Sequence, residues 1–119
     1  MNKEKLIRRT RQFAVKVFKI VEKFPKSKAS DVVAYQLLKS SSSVAASYWA
    51  VNRTKSKNDF KNKINIVLEE ADESNFWLTF IKDIELIKSN KELDFLIKEF
   101  DKLVVIFTSA LKTLNKSKI

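Results

Sequence analysis

Ser56 to Leu78 reads SKNDFKNKINIVLEEADESNFWL. Ser56 with Asp59 three residues later is a helix-start pattern: the hydroxyl accepts from a backbone N–H and the acid reaches back. Phe60, Ile64, Val67, Ala71, Ser74, Leu78 and Ile81 then recur at alternating spacings of four and three. That period gives one apolar stripe and predicts a long helix ending near Lys88. The stretch also packs Glu69, Glu70, Asp72 and Glu73 directly ahead of Phe76 and Trp77. So many acids in a basic chain call for a reason.

The same rhythm continues on both sides. Downstream of a turn at Ser89-Asn90, the seam Leu93, Ile97, Phe100, Val104, Phe107, Leu111 and Leu114 predicts a fourth helix. Upstream, Val33, Leu37, Ser40, Val44, Ser47 and Val51 predict a helix over about 30–51. Ser40-Ser41-Ser42-Ser43 has a linker's composition, but the rhythm runs through it without Gly or Pro, so it belongs to the helix. Its small side chains let a neighbouring helix come close. The first helix is expected over about 3–23, with Leu6, Thr10, Phe13, Val17, Ile20 and Phe24 on one face. Pro25 disfavours helical geometry at Phe24 and ends it.

Composition agrees with this reading. The 119 residues hold no Gly and a single Pro, too few turn formers for a β-protein of this length. The expected architecture is all-α: one domain spanning 1–119, an antiparallel up-down-up-down four-helix bundle. With no Cys there is no disulfide or thiolate chemistry, and with no His the commonest general base and metal ligand are missing. No apolar run reaches the ~20 residues of a membrane span, and the charged N-terminus lacks an apolar signal core. A cytoplasmic location with no membrane contact follows as the expectation.

The net charge is +10 and unevenly placed. Residues 1–63 hold 16 Lys/Arg against 4 Asp/Glu, net +12, and residues 64–119 hold 8 against 10, net −2. The asymmetry suggests an anionic partner; a generally lysine-rich composition is the plainer explanation. Lys5, Arg9, Lys16, Lys19 and Lys23, with Arg8 and Arg11 alongside, form a basic face on the first helix. Arg53, Lys55, Lys57 and Lys61 flank the turn before the third.

The acidic cluster supports no enzyme. Bundle metal sites use inward carboxylates with Glu-x-x-His motifs, and the first two helices offer only Glu4, Glu22 and Asp31. No Gly-rich phosphate loop is present, and nothing activates a serine beyond a formal Ser–Lys pairing with Lys39. No cofactor is expected. A structural role fits better. If helices 2 and 3 fold back about Thr54-Lys55, Glu70 falls level with Lys39, Glu73 with Gln36 and Phe60 with Trp49. Lys63 lies on the Glu70 row. These five polar residues, Gln36, Lys39, Lys63, Glu70 and Glu73, are the expected helix 2–helix 3 network, a device for fixing register.

Helix 3 is also apolar beyond its seam, at Ile66, Trp77, Phe80, Ile84 and Ile87. The surplus can bury against helix 1 or 4, or against another copy; with Tyr48 and Trp49 from helix 2, the expectation is a homo-oligomer whose interface includes Tyr48, Trp49, Ile66, Trp77 and Phe80.

Two segments, QLLKSSSSVAASYW (36–49) and NRTKSKNDFKNKINIVLEEADESNFWL (52–78), resemble a bacterial four-helix-bundle family. Its founding members are encoded by intervening sequences in 23S rRNA genes and are sometimes labelled S23 ribosomal protein. The accessory variability protein of diversity-generating retroelements is similar. The pattern Ser-x-x-Asp-Phe through Glu-Glu-Ala-Asp-Glu-Ser-x-x-Trp-Leu stands at Ser56, Asp59, Phe60, Glu69 to Ser74, Trp77 and Leu78. The helix 2 pattern Ser-Ile-Gly-Ala-Asn-Tyr-Arg-Glu-Ala is matched in frame at 43–51, with Ser47, Trp49 and Ala50 replacing its Asn, Arg and Glu. The resemblance implies a bundle that commonly assembles as a homopentamer with a basic surface and has no enzymatic activity. It also implies a reverse transcriptase partner if the chain is of the retroelement kind.

Together these readings predict a non-enzymatic oligomer that binds RNA or DNA through phosphate contacts, without base-specific motifs. The competing expectation is a protein-interaction or scaffold module whose charge serves solubility.

Overall fold

The computed structural model describes residues 2–88 and 90–116, with side chains through Thr113. Four helices follow one another: α1 (Lys3–Val21), α2 (Lys28–Val51), α3 (Lys57–Asp83) and α4 (Lys91–Lys116). Each packs on its neighbours in chain order and α4 closes on α1, giving an antiparallel four-helix bundle 52 Å long and 21 Å across. The α2–α3 contact is the most extensive and the α1–α4 contact the sparsest. No helix among the described residues is long and apolar enough to cross a membrane.

Every helix starts on a polar cap. The side chains of Asn2, Ser27, Ser56 and Asn90 accept from the N–H groups of Lys5, Ser30, Asp59 and Leu93, at 2.7–3.1 Å. Each bond satisfies one of the amides that a helix start leaves open. At α3 the return bond of the expected box comes from the Lys55 N–H, 3.4 Å from Asp59 Oδ2. Ser27 sets the start of α2 two residues before the expected one, and α1 ends at Val21, two residues before Lys23.

α3 ends at Asp83, five residues short of the predicted Lys88. Glu85 takes a left-handed conformation, φ 52°, and the N–H groups of Leu86 and Glu85 bond back to the carbonyls of Ile81 and Lys82. This is a Schellman stop, made without glycine. Ile84 and Ile87 continue the apolar rhythm past it, which is why the sequence overextends the helix. The predicted turn residue Ser89 lies outside the described residues.

The core follows the predicted seams for the first three helices except at Phe24, Ser47 and Phe60, which are half-buried. Leu6, Thr10, Phe13, Val17 and Ile20 of α1 are buried, as are Ile64, Val67, Ala71, Ser74, Leu78 and Ile81 of α3. The serine run is helical, and Ser40 and Ser41 are buried. In α4 the seam lies elsewhere. Leu93, Leu96, Phe100, Leu103 and Phe107 are buried, whereas Ile97, Val104 and Leu111 are half-buried flanks. Leu114 lies beyond the described side chains. Leu93, Phe100 and Phe107 are common to both rows, so the choice turns on the residues between them. The winning row, Leu96–Glu99–Leu103, has a carboxylate at its centre. Burying it is possible only because α1 supplies a partner.

Candidate nucleic-acid interface

That partner is Arg9. Its Nε lies 2.6 Å from Glu99 Oε2 and its Nη2 2.8 Å from Oε1, a two-pronged pair in which Glu99 is 9% exposed. The hydrogen bond to Glu99 is the main cause that raises the Arg9 pKa above its ordinary value; burial opposes it. The guanidinium therefore stays cationic throughout the working range. Two further cations reach α4 from the same side of α1. Lys16 Nζ sits 4.0 Å over the Phe95 ring, and Lys23 Nζ lies 3.0 Å from Glu92 Oε2. Arg9, Lys16 and Lys23 are seven residues apart, so the ladder marks the helical period along the sparsest seam of the bundle.

The basic face of α1 thus divides. Arg9 is half-buried and committed to α4. Lys5, Arg8, Arg11, Lys16, Lys19 and Lys23 are exposed. Lys5, Arg8, Arg9 and Gln12 border one shallow hollow, and Arg11 and Lys19 rim a groove between α1 and α2. Arg53, Lys55 and Lys57 are exposed at the α2–α3 connection, with Lys61 half-buried one turn into α3. Antiparallel packing puts this connection at the same end of the bundle as Lys5 and Arg8. The cations therefore begin at that end and follow α1 for about 28 Å.

The expected polar network takes another form. Among the described residues, no hydrogen bond or ion pair joins the side chains of Gln36, Lys39, Lys63, Glu70 and Glu73 to one another; Lys39 and Glu73 are exposed and the other three half-buried. What links α2 to α3 is a buried hydroxyl pair, Ser74 Oγ donating to Ser40 Oγ at 3.0 Å. Carbonyls of Leu37 and Glu70 flank it as further acceptors. Two hydroxyl protons can therefore be satisfied as a chain running in either direction. The pair lies about five residues out of the register counted from a symmetric hairpin, so the two helices do not fold back level about Thr54-Lys55. Among the described residues, no cluster of three or more acidic side chains could hold a metal ion.

The proposed aromatic interface also divides. Tyr48 belongs to the core: it is 6% exposed, its ring is 5.3 Å from that of Phe107, and burial raises its hydroxyl pKa. The α2 pattern alone places it outside, because the ring that covers it stands on α4. Trp49 and Ile66 are exposed. Trp77 and Phe80 are half-buried and form a ring cluster with Phe76, at centroid distances of 4.9–5.8 Å, and Phe76 is itself exposed. The α1–α2 groove, about 640 Å³, is apolar along Ile7, Ala14, Val15, Phe18 and Trp49.

Residues 2–109 match the family described as 23S rRNA-intervening sequence protein. A crystal structure of a protein with unknown function from the S23 ribosomal protein family, from Bacteroides thetaiotaomicron, has the same fold. It is 24% identical with a TM-score of 0.84, over 94% of this chain and 99% of that one. No curated protein matches the chain.

Proposed function

This chain belongs to the 23S rRNA-intervening sequence protein family, and from that premise we propose a cytoplasmic, non-enzymatic homo-oligomer that binds nucleic acid, RNA foremost, through the cations of α1 and the 52–56 connection. The observation that carries this reading is the division of α1. One cation, Arg9, closes the bundle, and six others remain at the surface along the helix. Their fields add, and phosphate contacts release condensed counterions, so binding should depend steeply on salt and little on sequence. Self-association is supported by the apolar α1–α2 groove and by exposed Trp49, Ile66 and Phe76. A ring of copies would repeat the basic stripe; five copies is the number the family resemblance implies.

Fluorescence anisotropy with a mixed-sequence RNA tests the reading. We expect binding tighter than about 10 μM at ~100 mM salt, weakening steeply as salt rises. No binding under those conditions contradicts it and favours the second reading, a protein-interaction module built on the same apolar surfaces. Light scattering tests the oligomer: a monomer at tens of micromolar overturns that part.

A further inference from the structure

A second groove, about 450 Å³, lies between α1 and α4 at the end of the bundle opposite the 52–56 connection. Lys16, Lys19, Lys23, Lys91, Glu92 and Phe95 line it. Four lysines and one carboxylate leave a local charge of +3, and Glu92 is already paired with Lys23. Lys19 and Lys91 have no acidic partner among the described residues. The one aromatic side chain in the wall, Phe95, is 45% exposed although it stands on the core-packed helix α4. The Lys16 ammonium sits over its ring, 4.0 Å from the ring centre.

An exposed ring in the wall of a basic groove is the arrangement that takes an unpaired base with its phosphates. Every base offers a π-face, so the ring provides stacking without sequence preference, while the lysines follow the backbone. The groove is of the size that holds one small planar group with its polar attachments. We propose that this groove is a stacking subsite for single-stranded nucleic acid: one base replaces the Lys16 ammonium on the Phe95 ring, and Lys16, Lys19 and Lys91 contact the adjoining phosphates. The exchange is favourable because an exposed cation–ring contact is weaker than base stacking on the same ring, and the released ammonium gains a phosphate. A duplex keeps its bases stacked inside and cannot use the ring. The subsite rests on the nucleic-acid reading above and adds to it a preference for single strands.

The test compares single-stranded and duplex RNA of equal length, by anisotropy at fixed salt, for the wild-type chain and for Phe95→Leu. Leucine keeps apolar bulk at a half-exposed position, and a thermal melt verifies that the variant is folded. We expect wild type to prefer the single strand, and Phe95→Leu to lose about tenfold on the single strand, about 1.4 kcal/mol, with duplex binding unchanged. Lys19→Gln with Lys91→Gln should weaken the single strand and flatten its salt dependence. If wild type binds neither RNA, the nucleic-acid reading and the subsite both fall. Wild-type binding with an unaffected Phe95→Leu overturns the subsite alone. Displacement of the strand by a free mononucleotide at micromolar concentration also overturns it, since the groove would then be a nucleotide site.

Discussion

Arg9 and Glu99 meet through two parallel hydrogen bonds across the seam between the first and last helices, 90 residues apart in the chain. The pair closes the bundle where its helix contact is sparsest and buries a carboxylate inside an apolar row of α4. Removing one partner of a buried pair costs about 3–5 kcal/mol, and Arg9 keeps 23% of its side chain exposed, so Arg9→Ala should cost about 2 kcal/mol. A urea midpoint measures this. Arg9→Met with Glu99→Leu should recover most of the loss, because no charge is then left buried. A double variant as unstable as the single one would show that the pair does more than neutralise Glu99.

Ser40 and Ser74 set how closely α2 and α3 approach. Ser74→Ala should cost about 1 kcal/mol or less, since Ser40 keeps the Leu37 carbonyl. Ser74→Leu should cost about 3 kcal/mol by forcing the two helices apart. Thermal melts of the two variants separate hydrogen bonding from spacing; equal losses would contradict the packing argument.

Glu85 occupies a left-handed position that glycine adopts without steric penalty. Glu85→Gly should stabilise the protein by about 1 kcal/mol, the strain relieved exceeding the entropy that glycine adds to the unfolded chain. A lower melting temperature would mean that the Glu85 side chain does something the Schellman geometry does not require.

Tyr48 links stability to alkaline pH. Desolvation disfavours the phenolate, so the folded hydroxyl titrates above its ordinary value of 10.0. Stability from the neutral, buried hydroxyl is fully present below that ordinary value and is lost as pH rises through the folded pKa. Tyr48→Phe should therefore lose less melting temperature than wild type between about pH 9 and pH 11. The two proteins differ only at residue 48, so the difference isolates Tyr48. Parallel curves would contradict the assignment.

Local signals were legible where they were self-contained. The Ser56 start, the continuity of the serine run and the seams of α1 to α3 needed only spacing and capping chemistry. Signals that depend on a distant partner were not. The spacing of α4 favours the Ile97–Val104 row, and only the Arg9 partner on α1 lets the Leu96–Glu99–Leu103 row go inward instead. Tyr48 looked like interface until Phe107 lay beside it. The Schellman stop after Asp83 carries no glycine, so the rhythm of Ile84 and Ile87 concealed it. The basic face looks uniform in the sequence, although Arg9 is part of the closure of the fold and its neighbours remain at the surface. The expected contacts of Glu70 and Glu73 rest on a symmetric hairpin, and the Ser40–Ser74 pair shows a register about five residues away from it.

The division of α1 into one structural cation and a solvent-facing set is most directly tested by the slope of log Kd for single-stranded RNA against log salt, in wild type and in Arg8→Gln with Arg11→Gln. Both positions are exposed and touch no acid among the described residues. Loss of two phosphate contacts should flatten the slope by about 1.4 while the melting temperature stays within a degree or two. An unchanged slope would place the nucleic-acid contacts elsewhere and contradict the account.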